Sequence, residues 1–205
     1  MTNTGNGDRV DGRRLRYQNR RGEILDAVIA HVLDHGIGTM SFRTLAAAVG
    51  VSHVTLHHHF GTKDELLVEI FDEIGKRQPI PDQLSDEDIE VLVRKLWRLW
   101  TQPEGARQFR LLFEAYGQAL RNPAEHRALL NNIVTRWIEV IRRLALQAGC
   151  PRCDADDFAT VLVAQLRGLQ LDLLATDDQA RVNSALDNVI DNIRDQRTRW
   201  NSPKA

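Results

Sequence analysis

The densest chemistry in this 205-residue chain lies between Ser41 and Lys63. Ser52 stands before His53-Val54-Thr55-Leu56-His57-His58-His59-Phe60, a run of hydroxyl and imidazole groups interrupted by apolar residues. Read as a short helix, it turns His53, Thr55, His57 and His58 outward. Such groups meet phosphate oxygens and base edges in a major groove. An imidazole that gains a proton near neutrality adds phosphate attraction. The His57-His58-His59 run also offers a metal reading, since His53 and His57 sit four apart, a ligand-compatible spacing on a helix. No nearby cysteine or carboxylate completes a tetrahedral site, so histidines facing DNA account for the run without metal. A helical metal-dependent enzyme built on the cluster is the lesser alternative. Nothing supplies a catalytic dyad with its orienting partner, so neither an enzyme activity nor a cofactor is expected.

Three other groups of residues bear on chemistry. Cys150-Pro151-Arg152-Cys153 is a C-x-x-C. A thioredoxin-type motif needs a βαβ context and a zinc ribbon needs a second pair, and both are missing. Two thiols in an interhelical turn are the plain reading. The alternative is a redox-sensing regulator using Cys150 and Cys153, with the following helix N-terminus lowering the Cys153 pKa. Arg9, Arg13, Arg14, Arg16, Arg20 and Arg21 make a basic arm, either a solvated tail or one that follows phosphates or enters the minor groove. Seven of the twelve aromatic residues lie between positions 97 and 158. Core packing explains most of them, and Trp97, Trp100, Phe113, Tyr116 and Trp137 are candidates to line a small-molecule site. Arg167 lies among Leu162, Leu166, Leu169 and Leu173, at the rim of that apolar face or against an effector carboxylate, with the rim preferred.

The elements that must position these groups are helices throughout. A first helix is expected over 19–35, where Ile24, Val28, Val32 and Leu25, Ile29, Leu33 repeat at i,i+4. Gly36 and Gly38 stop it. Ser41 caps a short second helix ended by Gly50, and a third follows Ser52 to near Gly61. Thr62 and Glu65 read as a capping box opening a fourth helix that ends near Gly75. Gln78-Pro79-Ile80-Pro81-Asp82 is a linker or sharp bend. Five longer helices are expected beyond it, over 85–101, 103–121, 123–148, 154–176 and 178–199. Pro103 and Pro123 stand at helix starts, where proline is tolerated. In the last two, Phe158, Val161, Leu162, Gln165, Leu166, Leu169 and Leu173 form one wide stripe and Val182, Ala185, Leu186, Val189, Ile190 and Ile193 another, with Phe158, Leu162, Leu166, Leu169, Val182, Leu186, Val189 and Ile193 the candidates for a dimer face. Each is wide enough to serve a core and a partner. The fold class is therefore all-α, about nine helices, with a small N-terminal head and a larger helical body. The divisions are a flexible basic arm over 1–18, a head with its connecting helix over 19–77, and a helical body over 84–200.

The second and third helices, joined at Gly50, form a helix-turn-helix. Ala46 and Ala47 let the helices approach, Val51 and Leu56 fill the seam, and Phe60 plugs its end. On Arg43, Leu45, Ala46, Gly50-Val51-Ser52, Thr55-Leu56, His59-Phe60, Lys63 and Glu65-Leu66, the chain resembles the TetR family of one-component transcriptional regulators. The likeness covers about residues 20–70, and beyond them only length and helix count agree. It implies a three-helix DNA-binding head and a body that dimerises through a four-helix bundle of its last helices. It also implies a small effector bound in that body. Carried over by residue, Arg43 contacts phosphate or base, and Ser52 and His53 open the recognition helix. Val54 and Thr55 touch a thymine methyl and a phosphate. His58 and Lys63 match further phosphate positions. His57 stands where the family usually has tyrosine. The expected partners are a near-palindromic double-stranded operator, an unnamed effector and a second copy of the chain.

Composition bounds these readings. With 27 Lys+Arg against 28 Asp+Glu, the net charge is −1, which argues at first against nucleic acid. Yet six basic residues lie between Arg9 and Arg21, and six of the seven histidines lie before residue 78. Few phosphate contacts per head, and a modest salt dependence, are expected. No apolar run approaches the roughly 18 residues of a bilayer span. The polar N-terminus has no apolar signal region and two cysteines cannot staple a secreted fold, so a cytoplasmic protein with no membrane partner is expected.

Overall fold

The computed structural model describes residues 7–38, 40–80 and 89–202, with side chains from Tyr17 onward except Gln18. Among them are nine helices and no strand. Helix α1 runs Gly7–His35, α2 Phe42–Val49, α3 His53–Phe60 and α4 Lys63–Lys76. Helix α5 runs Ile89–Trp100, α6 Pro103–Ala119, α7 Arg127–Gln147, α8 Ala155–Thr176 and α9 Gln179–Trp200. Contacts divide the chain into one unit up to Ile70 and a second from Phe71.

In the first unit, α1 packs on α2 and α2 on α3. The apolar face of α1 is buried at Ile24, Leu25, Val28, Ile29 and Val32, and Ile37 closes the turn behind it. Leu45, Leu56, Leu66 and Ile70 complete a core in which each is fully buried. The helix starts twelve residues earlier than expected, at Gly7 rather than residue 19. Arginine, leucine and glutamine are good helix formers, and no proline interrupts the stretch, so the apolar stripe alone understated its length. Of the arginines read as an arm, the side chains of Arg9, Arg13, Arg14 and Arg16 lie outside the described residues.

In the second unit, α8 lies against α6, α7 and α9, and α5 against α6 and α9. Their apolar faces meet in one core that includes Leu96, Trp97, Leu144, Leu162, Leu186 and Ile190. Burying each such side chain contributes about 1.5–3 kcal/mol. The second half of α4 belongs here, through Phe71, and Asp72 forms an ion pair with Arg136 of α7. The start expected at residue 85 lies outside the described residues, as do Pro81 and Asp82. The start expected at Pro123 moves to Arg127, because the Asn122 carbonyl takes the Glu125 and His126 amides in an isolated turn first.

Helix α8 revises one expectation. Among the described helices it alone is long and apolar enough to cross a membrane, with a mean hydropathy of 1.3 in its most apolar window. Gln165, Arg167, Gln170 and Asp172 interrupt the apolar run, which hid this in the sequence. Here it is a helix of the body's core, with Phe158, Leu162, Val163, Leu166 and Gln170 buried. Its turn into α9 is tied by Arg181, which grips Asp172 bidentately at 2.7 and 2.8 Å and reaches Asp178 at 3.2 Å.

Candidate nucleic-acid interface and body cavity

Local hydrogen bonds set the position of α3. The Ser41 hydroxyl accepts the Thr44 N–H at 3.1 Å while the Ser41 N–H donates to Thr44 Oγ1 at 3.0 Å, which closes the first turn of α2 from both sides. Gly50 ends α2 at φ +73°, a left-handed conformation that favours glycine, and Val51 donates back to the Ala46 carbonyl at 3.0 Å. Two residues later the Ser52 hydroxyl accepts the Thr55 N–H at 3.0 Å and starts α3. The expected capping box is present at α4: Thr62 N–H donates to Glu65 Oε2 at 2.6 Å and Glu65 N–H to Thr62 Oγ1 at 3.2 Å. Those bonds hold the Glu65 carboxyl below its ordinary range.

The core side of α3 is Leu56 and Phe60, both buried, with Val51 half-buried beside them. Ala46 is buried as expected, but Ala47 is exposed and takes no part in the seam, because one α-helical step turns it about 100° away. The opposite side is open. Arg43, Ser52, His53, Val54, His57 and His58 are exposed, and Val54 is 63% exposed although apolar. Thr55 and Lys63 are half-buried, and the Thr55 hydroxyl lies 2.8 Å from Ser52 Oγ. Among the described residues no group of three histidines, cysteines or carboxylates is placed to hold a metal ion.

Two residues of α1 hold α3 from behind, and sequence reasoning missed their role. Arg21 donates to the His59 carbonyl at 3.2 Å, pairs with Glu69 of α4, and places its guanidinium 4.9 Å from the Phe60 ring centre. It is a structural strut rather than part of a free arm. The Tyr17 ring lies 4.7 Å from that of His59, and its hydroxyl 3.5 Å from His58 Nδ1. His59 is half-buried, and its Nδ1 has no partner. Burial, then the charges of His58, Arg21 and Arg20, hold its pKa below 6.5.

In the second unit, Trp100 and Trp137 meet edge to face at 5.5 Å, and Phe109 packs on Trp100 at 5.6 Å. These rings and Leu112 wall two small cavities of about 50 and 30 Å³. Of the other aromatic candidates, Trp97 is buried in the core and donates its indole N–H to Asn183 Oδ1 at 2.9 Å. Phe113 is half-buried beside Phe109, and Tyr116 is engaged by Arg167. Phe109 and Gln170 also line cavity walls; only the packing of α6 against α8 marks them out.

The remaining candidates sit as follows. Cys150 and Cys153 are not joined in a disulfide. Cys153 is exposed, whereas Cys150 is buried and its thiol is pushed up to about 11 by burial and by Asp154 and Cys153. A thiol held that high supplies little of the thiolate that redox chemistry needs. Of the residues offered for a dimer face, Phe158, Leu162, Leu166, Val182, Leu186, Val189 and Ile193 are buried within the single chain, and Leu169 is half-buried. The stripes serve the body's own core because α8 and α9 turn them toward each other and toward α5 and α7. What α8 leaves exposed is a second stripe, Val161, Ala164, Gly168, Leu171 and Ala175, which shares only Val161 with the expected one.

Comparison with known proteins agrees with this arrangement. Residues 24–70 match the model of "Bacterial regulatory proteins, tetR family". A solved member of the TetR family from Streptomyces coelicolor A3 is 30% identical, with a TM-score of 0.60 over 85% of this chain and 97% of that one. The multidrug binding protein EbrR, solved with imidazole, is 27% identical with a TM-score of 0.62 over 85% and 89% of the two chains. The nicotine-responsive transcriptional repressor HdnoR of Paenarthrobacter nicotinovorans is 25% identical over 87% of this chain and 95% of its own.

Proposed function

The chain belongs to the TetR family of bacterial regulatory proteins, and from that premise we propose that it is a homodimeric cytoplasmic repressor released from its operator by a small-molecule effector. It is a DNA-binding transcriptional regulator and not an enzyme. The observation that carries the reading is the outward face of α3. A capped two-turn helix is held from behind by Leu56, Phe60 and Arg21, while Ser52, His53, Val54, His57 and His58 have no role in the core. A rigid polar helix of that length fits a major groove, with its N-terminal residues at base edges and Arg43, Thr55 and Lys63 at phosphates.

A dimer gives two such helices and therefore a near-palindromic site. The partner face in this reading is the exposed stripe of α8, where Val161, Ala164, Gly168, Leu171 and Ala175 repeat at heptad spacing with small residues that let two helices approach. The effector site is the body cavity walled by Trp100, Phe109 and Trp137. Two relatives named for nicotine response and multidrug binding support effector control. An effector shifts the regulator only by its differential affinity for the DNA-competent and incompetent states.

Selection of bound duplexes from a random pool tests the primary reading. The expected result is one enriched inverted repeat, with binding weakened several-fold in Lys63→Ala and His57→Ala and with a salt slope shallower by about 0.9 in Lys63→Ala, which loses a cationic phosphate contact. No enriched sequence, or enrichment of lone half-sites, overturns it.

A further inference from the structure

The body cavity carries a charge that no described residue neutralises. Arg167 of α8 is half-buried, and among the described residues its guanidinium meets only neutral partners. Its Nη1 donates to the Tyr116 hydroxyl at 2.5 Å and its Nη2 to the Ile133 carbonyl. A partly desolvated cation without a counter-ion is unfavourable, and burial accordingly pulls this guanidinium below its ordinary range. Three residues on, Gln170 is 4% exposed and its side-chain Nε2 has no acceptor. Both side chains line the 30 Å³ cavity beside Trp100, Phe109 and Trp137, and no carboxylate lines it. Arg136, on the neighbouring 50 Å³ cavity, is already paired with Asp72.

The apolar walls are flat rings, and the polar groups on α8 are surplus donors. We infer that the body takes an organic acid: a flat apolar ring system carrying one carboxylate, which accepts from Arg167 and Gln170 while its rings lie among Trp100, Phe109 and Trp137. A charge-assisted bond to a guanidinium in a site with few competing waters strengthens such a ligand, and a ligand ammonium is repelled from the same place. Room comes from joining spaces. Trp100 and Phe109 wall both small cavities and also a third of about 310 Å³, which Gln170 lines as well. A shift of those two rings merges all three. The third opens to solvent beside the exposed Arg110, Asp177 and Gln179, so the one carboxylate near the route stands at its mouth and Arg110 stands there with it.

This inference rests on the effector reading above, and the test separates the two. The full-length protein is titrated with 2-naphthoate, 2-naphthamide and 2-naphthylmethylammonium, followed by tryptophan quenching and calorimetry. The acid is expected to bind at least about tenfold tighter than the amide, with the ammonium weakest. Arg167→Gln should bring the acid-to-amide affinity ratio down to within about twofold of one. Arg167 also holds the Ile133 carbonyl, so Gln170→Glu is the second variant: a carboxylate beside Arg167 should weaken acid binding by a larger factor than amide binding, reversing the order of the two. Amide or ammonium binding as tight as the acid, no acid binding at millimolar concentration, or an acid preference unchanged in both variants each overturns the inference. Release of the selected operator is read separately by gel shift. Operator release by a non-acidic compound leaves the effector reading intact and sinks the acid class. Acid binding that leaves operator affinity unchanged supports the acid class and sinks the effector reading.

Discussion

Val54 and His59 sit five residues apart on α3 and face opposite demands. Val54 is an apolar side chain 63% exposed, with no core to enter. In the operator reading its partner is a thymine methyl, so Val54→Ala should weaken binding by about 1 kcal/mol and relax preference at one base position. The melting temperature should hardly move, since the residue touches little in the free head. Competition between duplexes that differ at that base measures both effects. His59 is held neutral by burial and by cationic neighbours, with its pKa below 6.5 in the folded head. The unfolded chain therefore takes up its proton first as pH falls. The stabilisation is complete above about pH 6.5 and is lost as pH drops through the lowered folded value. Protection factors of the α3 amides, corrected for the intrinsic pH dependence of exchange, should fall between pH 7 and pH 5 more steeply in the wild type than in His59→Asn. Equal slopes would remove His59 from the account.

The short helices depend on their ends. An isolated helix of eight residues is not stable in water, so α2 and α3 need caps and packing together. Gly50 joins them at φ +73° and has open space where a Cβ would stand. Gly50→Ala should therefore cost about 1–2 kcal/mol from backbone conformation alone, with no steric clash added. Chemical denaturation followed by far-UV circular dichroism checks this, and a loss well above that range would reveal a contact the geometry lacks. These end signals were readable from the chain because each bond spans three or four residues. The Thr62–Glu65 box and the Ser41 and Ser52 caps needed no knowledge of the rest of the fold. The start of α1 was not readable in the same way, because its first turns lack the apolar stripe that marked residues 24–33.

At the scale of the whole molecule, α8 serves two surfaces. One face is committed to the core through Phe158, Leu162 and Leu166, and the other exposes Val161 and Leu171 at 55% and 51%. If a second copy covers the exposed face, Leu171→Glu should shift the protein from dimer to monomer in sedimentation equilibrium at micromolar concentration. It should leave the monomer's stability within about 0.5 kcal/mol, as an exposed site allows. A dimer that persists would place the partner face elsewhere. The same variant should bind a single half-site and lose the full operator's affinity gain.

The sequence by itself determined the all-helical class and the helix-turn-helix, and it turned His53, His57 and His58 outward from α3, whereas Thr55 is half-buried against Ser52. Those follow from periodicity, caps and turn glycines, which act over a few residues. Arg21 is the contrary case. Its neighbours in sequence are other arginines, and only the approach of α3 and α4 supplies the His59 carbonyl and Glu69 that make it a strut. Likewise a heptad count alone did not tell which stripe of α8 turns inward. Tertiary packing put Phe158, Leu162 and Leu166 in the core, left the small-residue stripe outside, and brought Arg167 and Gln170 against Trp100 and Trp137. Those pairings join residues more than sixty positions apart in some cases, and the free energy that selects them is the shared burial of faces on α5 to α9, which no local pattern contains.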